Sequence, residues 1–236
     1  MNINNYFDKI YLLNLHRRKD RLNLSMDKIN KVGLNVEVFG GTDGTVLNYV
    51  LGKLGNSYFS NSSYLGCVIS HLSIYKDAVV NGYERILILE DDNLIHSNIN
   101  SIFDSLEIPS WTDLFYLGYI PLNDDLSMWT YGITMKEHQL LTDKIFRCNN
   151  LWGLYSYGIT NSLMKECLDI YHNDFPMELD RFFVNHVQNR GGSIAIAPQL
   201  FCCDSDIYSD NQGYTPGISL TTKSVDTRYA KIEEYI

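Results

Sequence analysis

The chain has 236 residues, 45% of them hydrophobic, which suits one sizeable globular core. Its 28 acidic residues outnumber the 19 basic ones, and the net charge of -9 argues against nucleic acid or an anionic membrane surface as a partner. Five cysteines, with no CxxC and no histidine at zinc-ligand spacing, indicate neither a disulfide framework nor a structural zinc site.

The first residues, MNINNYFDKI, carry neither a basic n-region nor an apolar h-region, and no stretch reaches membrane-spanning length. A soluble, cytoplasmic protein is expected, with no membrane span. KIYLLNL, residues 9–15, is dense enough in apolar side chains for a strand buried on both faces, the kind found inside parallel sheets. It stops at HRRKDR. From Asp20 onward, Leu22, Met26, Ile29 and Val32 recur at helical spacing, and Gly33 supplies a C-terminal stop.

LNVEVFG follows as a second strand. LGCVISHLSIYKDAVVNGY, residues 65–83, reads as a helix with Val68, Leu72, Tyr75 and Val79 as its apolar stripe, and RILILED comes directly after it. DLFYLGY and LYSYGIT are further strands, NSLMKECLDIYH and PMELDRFFVNHVQNRGG helices, and SIAIA a last clear strand. Cys202 and Cys203 suit opposite faces of a strand. Such alternation predicts an α/β fold with a mostly parallel central sheet and helices on both faces.

Residues 121–152 lose this pattern and are expected to form a long loop excursion over one edge of the sheet, framed by Trp111, Trp129 and Trp152. The stretch after Asp204 is rich in Ser, Thr, Asp and Tyr; it is expected to wrap the surface or to be partly mobile. One domain accounts for the chain, with residues 1–207 as its body and 208–236 as a C-terminal tail.

ERILILEDDN, residues 84–93, runs four aliphatic side chains into Glu90, Asp91 and Asp92. Ligands of open α/β sheets bind beyond the carboxyl ends of strands, where this triplet falls. Carboxylates so close repel one another unless a cation neutralises them. Hard ions such as Mn²⁺ or Mg²⁺ favour oxygen ligands and leave positions for a substrate diphosphate. Alternatively, the strand ends in a solvated acidic turn. Asn14 closes the first strand, and Arg17, Arg18 and Arg21 follow at the strand-to-helix turn, where guanidinium groups can pair with phosphate oxygens or simply balance Asp20.

Together these segments resemble glycosyltransferase family 25, the group that contains bacterial lipooligosaccharide galactosyltransferases and the collagen galactosyltransferase domains. FDKIYLLNLHRRKDRL is similar to the family's opening segment, GTDG (41–44) to its Ala-x-Asp-Gly signature, and GCVISHLSIYKDAVVNGYERILILEDDN to its most specific block. DLFYLG, SYGITNSLMKECL, the pair Leu179–Asp180 and PQLFCCDSDI follow in family order. Two departures stand out. Tyr64 replaces a usual Glu, which bears on the acceptor or nucleotide pocket, and TNSLMKE lacks a usual Gly-Ala, which bears on helix packing.

The resemblance implies a GT-A-like fold with a Rossmann-like nucleotide-binding half, an Mn²⁺ (or Mg²⁺) cofactor, a UDP-sugar donor, and a glycan or glycosylated protein as acceptor. It implies inverting transfer of a hexose, galactose or glucose, in glycan biosynthesis such as that of lipopolysaccharide. On this basis Asp92 is a direct metal ligand, while Asp91 and Glu90 contact ribose or hold the metal or its water. Asp204 or Asp206 is a further ligand candidate. Asn14, Arg17, Arg18, Arg21, Asp43, Ser70 and His71 border the donor.

Asp180, in the first turn of a helix whose dipole favours its ionised form, is the candidate general base. Trp129 or Tyr131 suits the acceptor side. The competing readings are a catalytically silent nucleotide-sugar or glycan-binding module on the same fold and a nucleotidyltransferase. The sequence specifies no oligomeric state.

Overall fold

In the computed structural model of the chain, residues 2–47, 62–120, 139–173, 178–204 and 231–236 are described. Trp129, Tyr131, Asp206 and most of the expected loop excursion and tail lie outside them. The central sheet consists, side by side, of β2 (Glu37–Gly40), β1 (Lys9–Asn14), β3 (Arg85–Glu90), β8 (Ser156–Thr160), β5 (Leu114–Gly118), β9 (Ser193–Ile196), β7 (Ile145–Arg147) and β6 (Gln139–Leu140).

β1 lies parallel to both β2 and β3, with Leu13 level with Glu90 and Asn14 level with Gly40. The carboxyl ends of these strands therefore open on one edge. β8 runs antiparallel between β3 and β5, β9 returns parallel to β5, and β7 and β6 close the far side as an antiparallel pair. Only β8 and β7 oppose the other strands, so the sheet is mostly parallel in direction. The reversal of β8 carries no sequence mark, because an apolar run buried on both faces looks the same in either direction.

Side-chain alternation decides which helix covers which face. Tyr11, Ile86, Ile88 and Tyr116 pack beneath α3 (Ser62–Val80), α5 (Asn161–Asn173) and α6 (Leu179–Phe182). On the opposite face Ile10, Leu12, Leu87 and Leu89 meet α1 (Ile3–Tyr6), α2 (Lys19–Val32) and α4 (Ile99–Asp104). Burying each such aliphatic side chain contributes about 1.5–3 kcal/mol. This is the α/β layering expected from the sequence, a mostly parallel central sheet with helices on both faces.

α2 ends as Gly33 dictates. Gly33 takes φ 70°, its N–H bonds the Asn30 carbonyl, and the Leu34 N–H bonds the Ile29 carbonyl. The buried face of this helix is Arg21, Ser25, Ile29 and Val32, so its N-terminal half turns polar side chains inward. Within the expected loop excursion β6 and β7 form a short hairpin. Its few residues gain their order from Ile145 and Phe146 pairing with Ile196 and Ala195 of β9 rather than from any local pattern.

A second, two-stranded sheet pairs β4 (Asn93–Ile95) with β10 (Phe201–Cys203), with Cys202 buried and Cys203 less so. Residues 231–236 dock against it. Ile236 exchanges backbone hydrogen bonds with Ile95, Ser97 N–H donates to the Glu234 carbonyl, and the Tyr235 hydroxyl donates to the Gln199 carbonyl. No helix among the described residues is long and apolar enough to cross a membrane.

Candidate active site

The carboxyl ends of β1 and β3 are bound together by a buried charge cluster. Arg21 ion-pairs with Asp91 and, at 2.7 Å, with Asp92, all three side chains being less than a tenth exposed. Asn14 donates its amide to Asp91 Oδ2 at 2.5 Å and to the Arg18 carbonyl at 3.0 Å. Ser25, one turn after Arg21, donates to the Asp91 carbonyl. The inward polar stripe of α2 thus has a purpose: it grips the end of β3.

Burial pushes the Asp91 carboxyl up to about 7, with the Arg21 guanidinium and the Asn14 amide drawing it back. Lys28 braces the next turn by donating to the Asn93 carbonyl and to Asp204 Oδ2 at 2.7 Å, and Asp204 N–H bonds the Asp92 carbonyl. Arg18 turns to Asp20 instead.

The GTDG turn and α3 meet without a gap. A Cβ at Gly66 would stand 2.7 Å from the Thr42 carbonyl oxygen, so the helix approaches the loop only because Gly66 has none. Ser70 accepts the Thr42 N–H at 2.8 Å and donates to the Gly66 carbonyl at 2.6 Å. Asp43 accepts from Thr45 on one oxygen and from Arg17 Nε, at 2.5 Å, on the other. Hydrogen bonds from Thr45, then Arg17, hold the Asp43 carboxyl below its ordinary range.

His71 is wholly buried in the middle of α3. Its Nδ1 lies 2.7 Å from the Tyr157 hydroxyl, which is 2.5 Å from the Tyr75 hydroxyl. Its Nε2 has no hydrogen-bond partner and looks toward Glu90 Oε1, 3.5 Å away. Burial lowers the His71 pKa to about 4, so the ring is neutral at pH 7 and the approach to Glu90 is not an ion pair. Glu90 itself is pushed upward by burial and then by Asp92.

Asp180 sits in the first turn of α6, accepts a hydrogen bond from the Gly153 N–H, and is raised to about 6, chiefly by burial and then by the charge of Glu90. Glu90, His71 and Asp180 therefore lie within electrostatic reach of one another, at the end of β3 and the facing helices. After α6 the helix widens into a π-helical segment, Phe183–Gln188. Its last residue, Gln188, is buried, accepts the Leu151 N–H, and donates to the Leu151 carbonyl and the Tyr116 hydroxyl.

Gln188 thereby fixes the 150–153 loop that brings Gly153 to Asp180. Sequence reasoning missed it, although a glutamine among apolar helix residues was the available signal. At Arg181, the residue after Asp180, opens a groove of about 380 Å³ lined also by Asn149, Asn150, Trp152, Val184, Asn185 and Asn189.

The residues at the end of β3 suit a divalent cation. Asp92 Oδ1 is buried without a hydrogen-bond partner, and Glu90 keeps 27% side-chain exposure. Both oxygens of Asp91 are already engaged, by Arg21 and Asn14. Tyr64, at the departure noted above, is 40% exposed near the start of α3.

The model of glycosyltransferase family 25, described as an LPS biosynthesis protein family, matches residues 7–183. The chain belongs to this family. A glycosyltransferase 25 family member of Aedes aegypti is 29% identical over 140 residues, 52% of this chain and 23% of the relative. The inactive glycosyltransferase 25 family member 3 of Homo sapiens is 29% identical over 145 residues, 54% and 24% of the two chains. Procollagen galactosyltransferase 2 of Mus musculus is 31% identical over 98 residues, 36% of this chain and 16% of that one.

These matches span about a quarter or less of the relatives' length. Among solved structures, a glycosyltransferase involved in the glycosylation of the major capsid of PBCV-1 aligns over 79% of this chain and 80% of its own, with a TM-score of 0.42 and 14% identity.

Proposed function

We propose that this family 25 domain transfers a hexose, galactose or glucose, from a UDP-sugar to a hydroxyl of a glycan or protein-linked acceptor, with metal assistance and inversion of configuration. One observation carries this: Glu90 of the strand-end carboxylates and a separate raised carboxylate, Asp180, lie within electrostatic reach of each other and of the buried His71. In-line displacement needs these two functions on opposite sides of the reacting sugar. With a pKa near 6, Asp180 is a stronger base than an ordinary carboxylate and is still ionised at neutral pH, so it can take the proton of the attacking hydroxyl.

A divalent cation held by Glu90 and Asp92 would stabilise charge developing on the leaving diphosphate. Arg21 serves this clamp indirectly, orienting Asp91 and Asp92. Arg17, 45% exposed and paired with Asp43, would bind a donor phosphate, and Asp43 a uridine hydroxyl. The groove at Arg181 offers side-chain amides and the Trp152 ring, groups that bond sugar hydroxyls and stack on apolar sugar faces, so we assign it to the acceptor. The name of the mouse relative supports galactose as the transferred sugar, and the family description supports a glycan acceptor.

A silent binding module is the second reading, favoured by a relative named inactive and by Tyr64 where the family usually has Glu. Calorimetric titration with UDP-galactose and UDP-glucose, in Mn²⁺ and then in EDTA, tests donor binding. Measurement of UDP release then tests turnover. Metal-dependent binding with release of UDP is the expected result. Binding without any release moves the protein to a silent nucleotide-sugar-binding module, and no binding by a folded sample overturns the transfer reading in favour of a silent glycan-binding module.

A further inference from the structure

We propose that Cys67, His71 and Glu90 form a binding site for a borderline transition-metal cation, Zn²⁺ or Co²⁺, in the wall of the crevice. One ligand atom from each, a thiol sulfur, an imidazole nitrogen and a carboxylate oxygen, all lie within 4.8 Å of one another. Cys67 and His71 are one turn apart on the same face of α3, and Glu90 arrives from the end of β3. Their spacing along the chain conceals the site, because the third ligand comes from another element.

A second observation points to a ligand. His71 is fully buried, yet its Nε2 lacks a hydrogen-bond partner while aiming at Glu90. A buried polar atom left alone is costly and uncommon, and a coordinate bond removes that cost. The other ring nitrogen is held by Tyr157, which Tyr75 holds in turn, and metal-ligating histidines are commonly fixed through the second nitrogen in this way. Binding exchanges the Cys67 thiol proton, released to solvent, for the metal–sulfur bond.

A sulfur, nitrogen and oxygen donor set favours Zn²⁺ and Co²⁺ over Mg²⁺, which prefers oxygen alone. Three protein ligands leave a fourth tetrahedral position. The site requires no glycosyl transfer and so goes beyond the proposed function. It shares Glu90 with the diphosphate clamp, which sets Zn²⁺ in competition with Mn²⁺.

Titration of the full chain with Co²⁺, followed by absorption, tests the site. We expect tetrahedral visible bands together with a near-ultraviolet thiolate-to-cobalt charge-transfer band, abolished by one equivalent of Zn²⁺ and absent from Cys67→Ser but present in Cys202→Ser. If Cys67→Ser fails to fold, protection of Cys67 from iodoacetamide by one equivalent of Zn²⁺ in the unaltered chain, read by peptide mass, replaces it. Cobalt binding without a thiolate band, a band that survives Cys67→Ser, or unprotected Cys67 overturns the proposal. Each outcome stands apart from donor binding in Mn²⁺, so failure here and failure of the transfer reading are distinguishable.

Discussion

On the β1 and β3 side of the crevice, position is set by buried charge, with Arg21 between Asp91 and Asp92; on the α6 side it is set by neutral amides, with Gln188 holding Leu151 and the Gly153 N–H reaching Asp180. The first arrangement suits groups that must stay still while a charged ligand comes and goes. A buried guanidinium between two carboxylates cannot be loosened without leaving uncompensated charge. The second leaves its carboxylate raised, poised to gain and lose a proton. Rigidity on one wall and a tunable base on the other is what displacement chemistry asks of a site.

Breaking the charged wall should have the largest effect on stability. Arg21→Met keeps the bulk and removes the charge, and we expect a loss of about 3–5 kcal/mol in denaturant unfolding. A loss below about 1 kcal/mol, the range of solvated pairs, would mean that water reaches these carboxylates and that the two walls do not differ as described. Asp180→Asn should do the reverse. Folding and donor affinity stay near their original values while turnover falls about 10²- to 10⁴-fold, the usual contribution of a general base. Full turnover in this variant would remove Asp180 from that role.

Gln188→Met sharpens the contrast, because it alters the neutral wall without touching the crevice. The Leu151 N–H and carbonyl lose their buried partner, at about 1–3 kcal/mol. With the 150–153 loop loosened, turnover should fall while donor binding by calorimetry is unchanged. A variant that lost donor binding instead would place Gln188 with the charged wall.

Much of the charged wall was legible in the sequence. An apolar run ending in Glu90, Asp91 and Asp92, and a strand closing at Asn14 before a cluster of arginines, mark strand ends that local chemistry explains. Their division of labour was not, since Arg21 meets Asp91 only when α2 folds back along β3. The neutral wall was legible only at Asp180. Gln188 stood out only as a glutamine among apolar helix residues, and its partners Leu151 and Tyr116, like the pairing of β7 with β9, join residues distant in the chain, for which neither periodicity nor propensity carries a sign. Cys67 and His71 were visible as neighbours on a helix, whereas their convergence with Glu90 was set by how that helix lies against the sheet.

The smallest expected effect concerns what lies behind the charged wall. His96 is buried, accepts the Asn98 N–H on Nδ1, and packs its ring edge-on against Tyr235 of the docked C-terminal residues. Burial depresses its pKa below the ordinary 6.5, the nearby Glu234 opposing. Folded and unfolded chains both hold it neutral above that value, so it contributes no pH dependence there. As pH falls below 6.5 the unfolded chain takes up the proton first, and stability declines until the folded-state pKa is passed. Protonation also removes the acceptor for Asn98. His71 adds to this loss and the raised Asp91 and Asp180 oppose it, so the contribution of His96 is read as a difference: urea midpoints of the unaltered chain should drop relative to those of His96→Gln as pH falls below 6.5. Parallel profiles for the two chains would show that His96 is not held neutral by its burial beside Tyr235, because the crevice carboxylates, raised in the folded chain, gain stability as pH falls and cannot supply that loss.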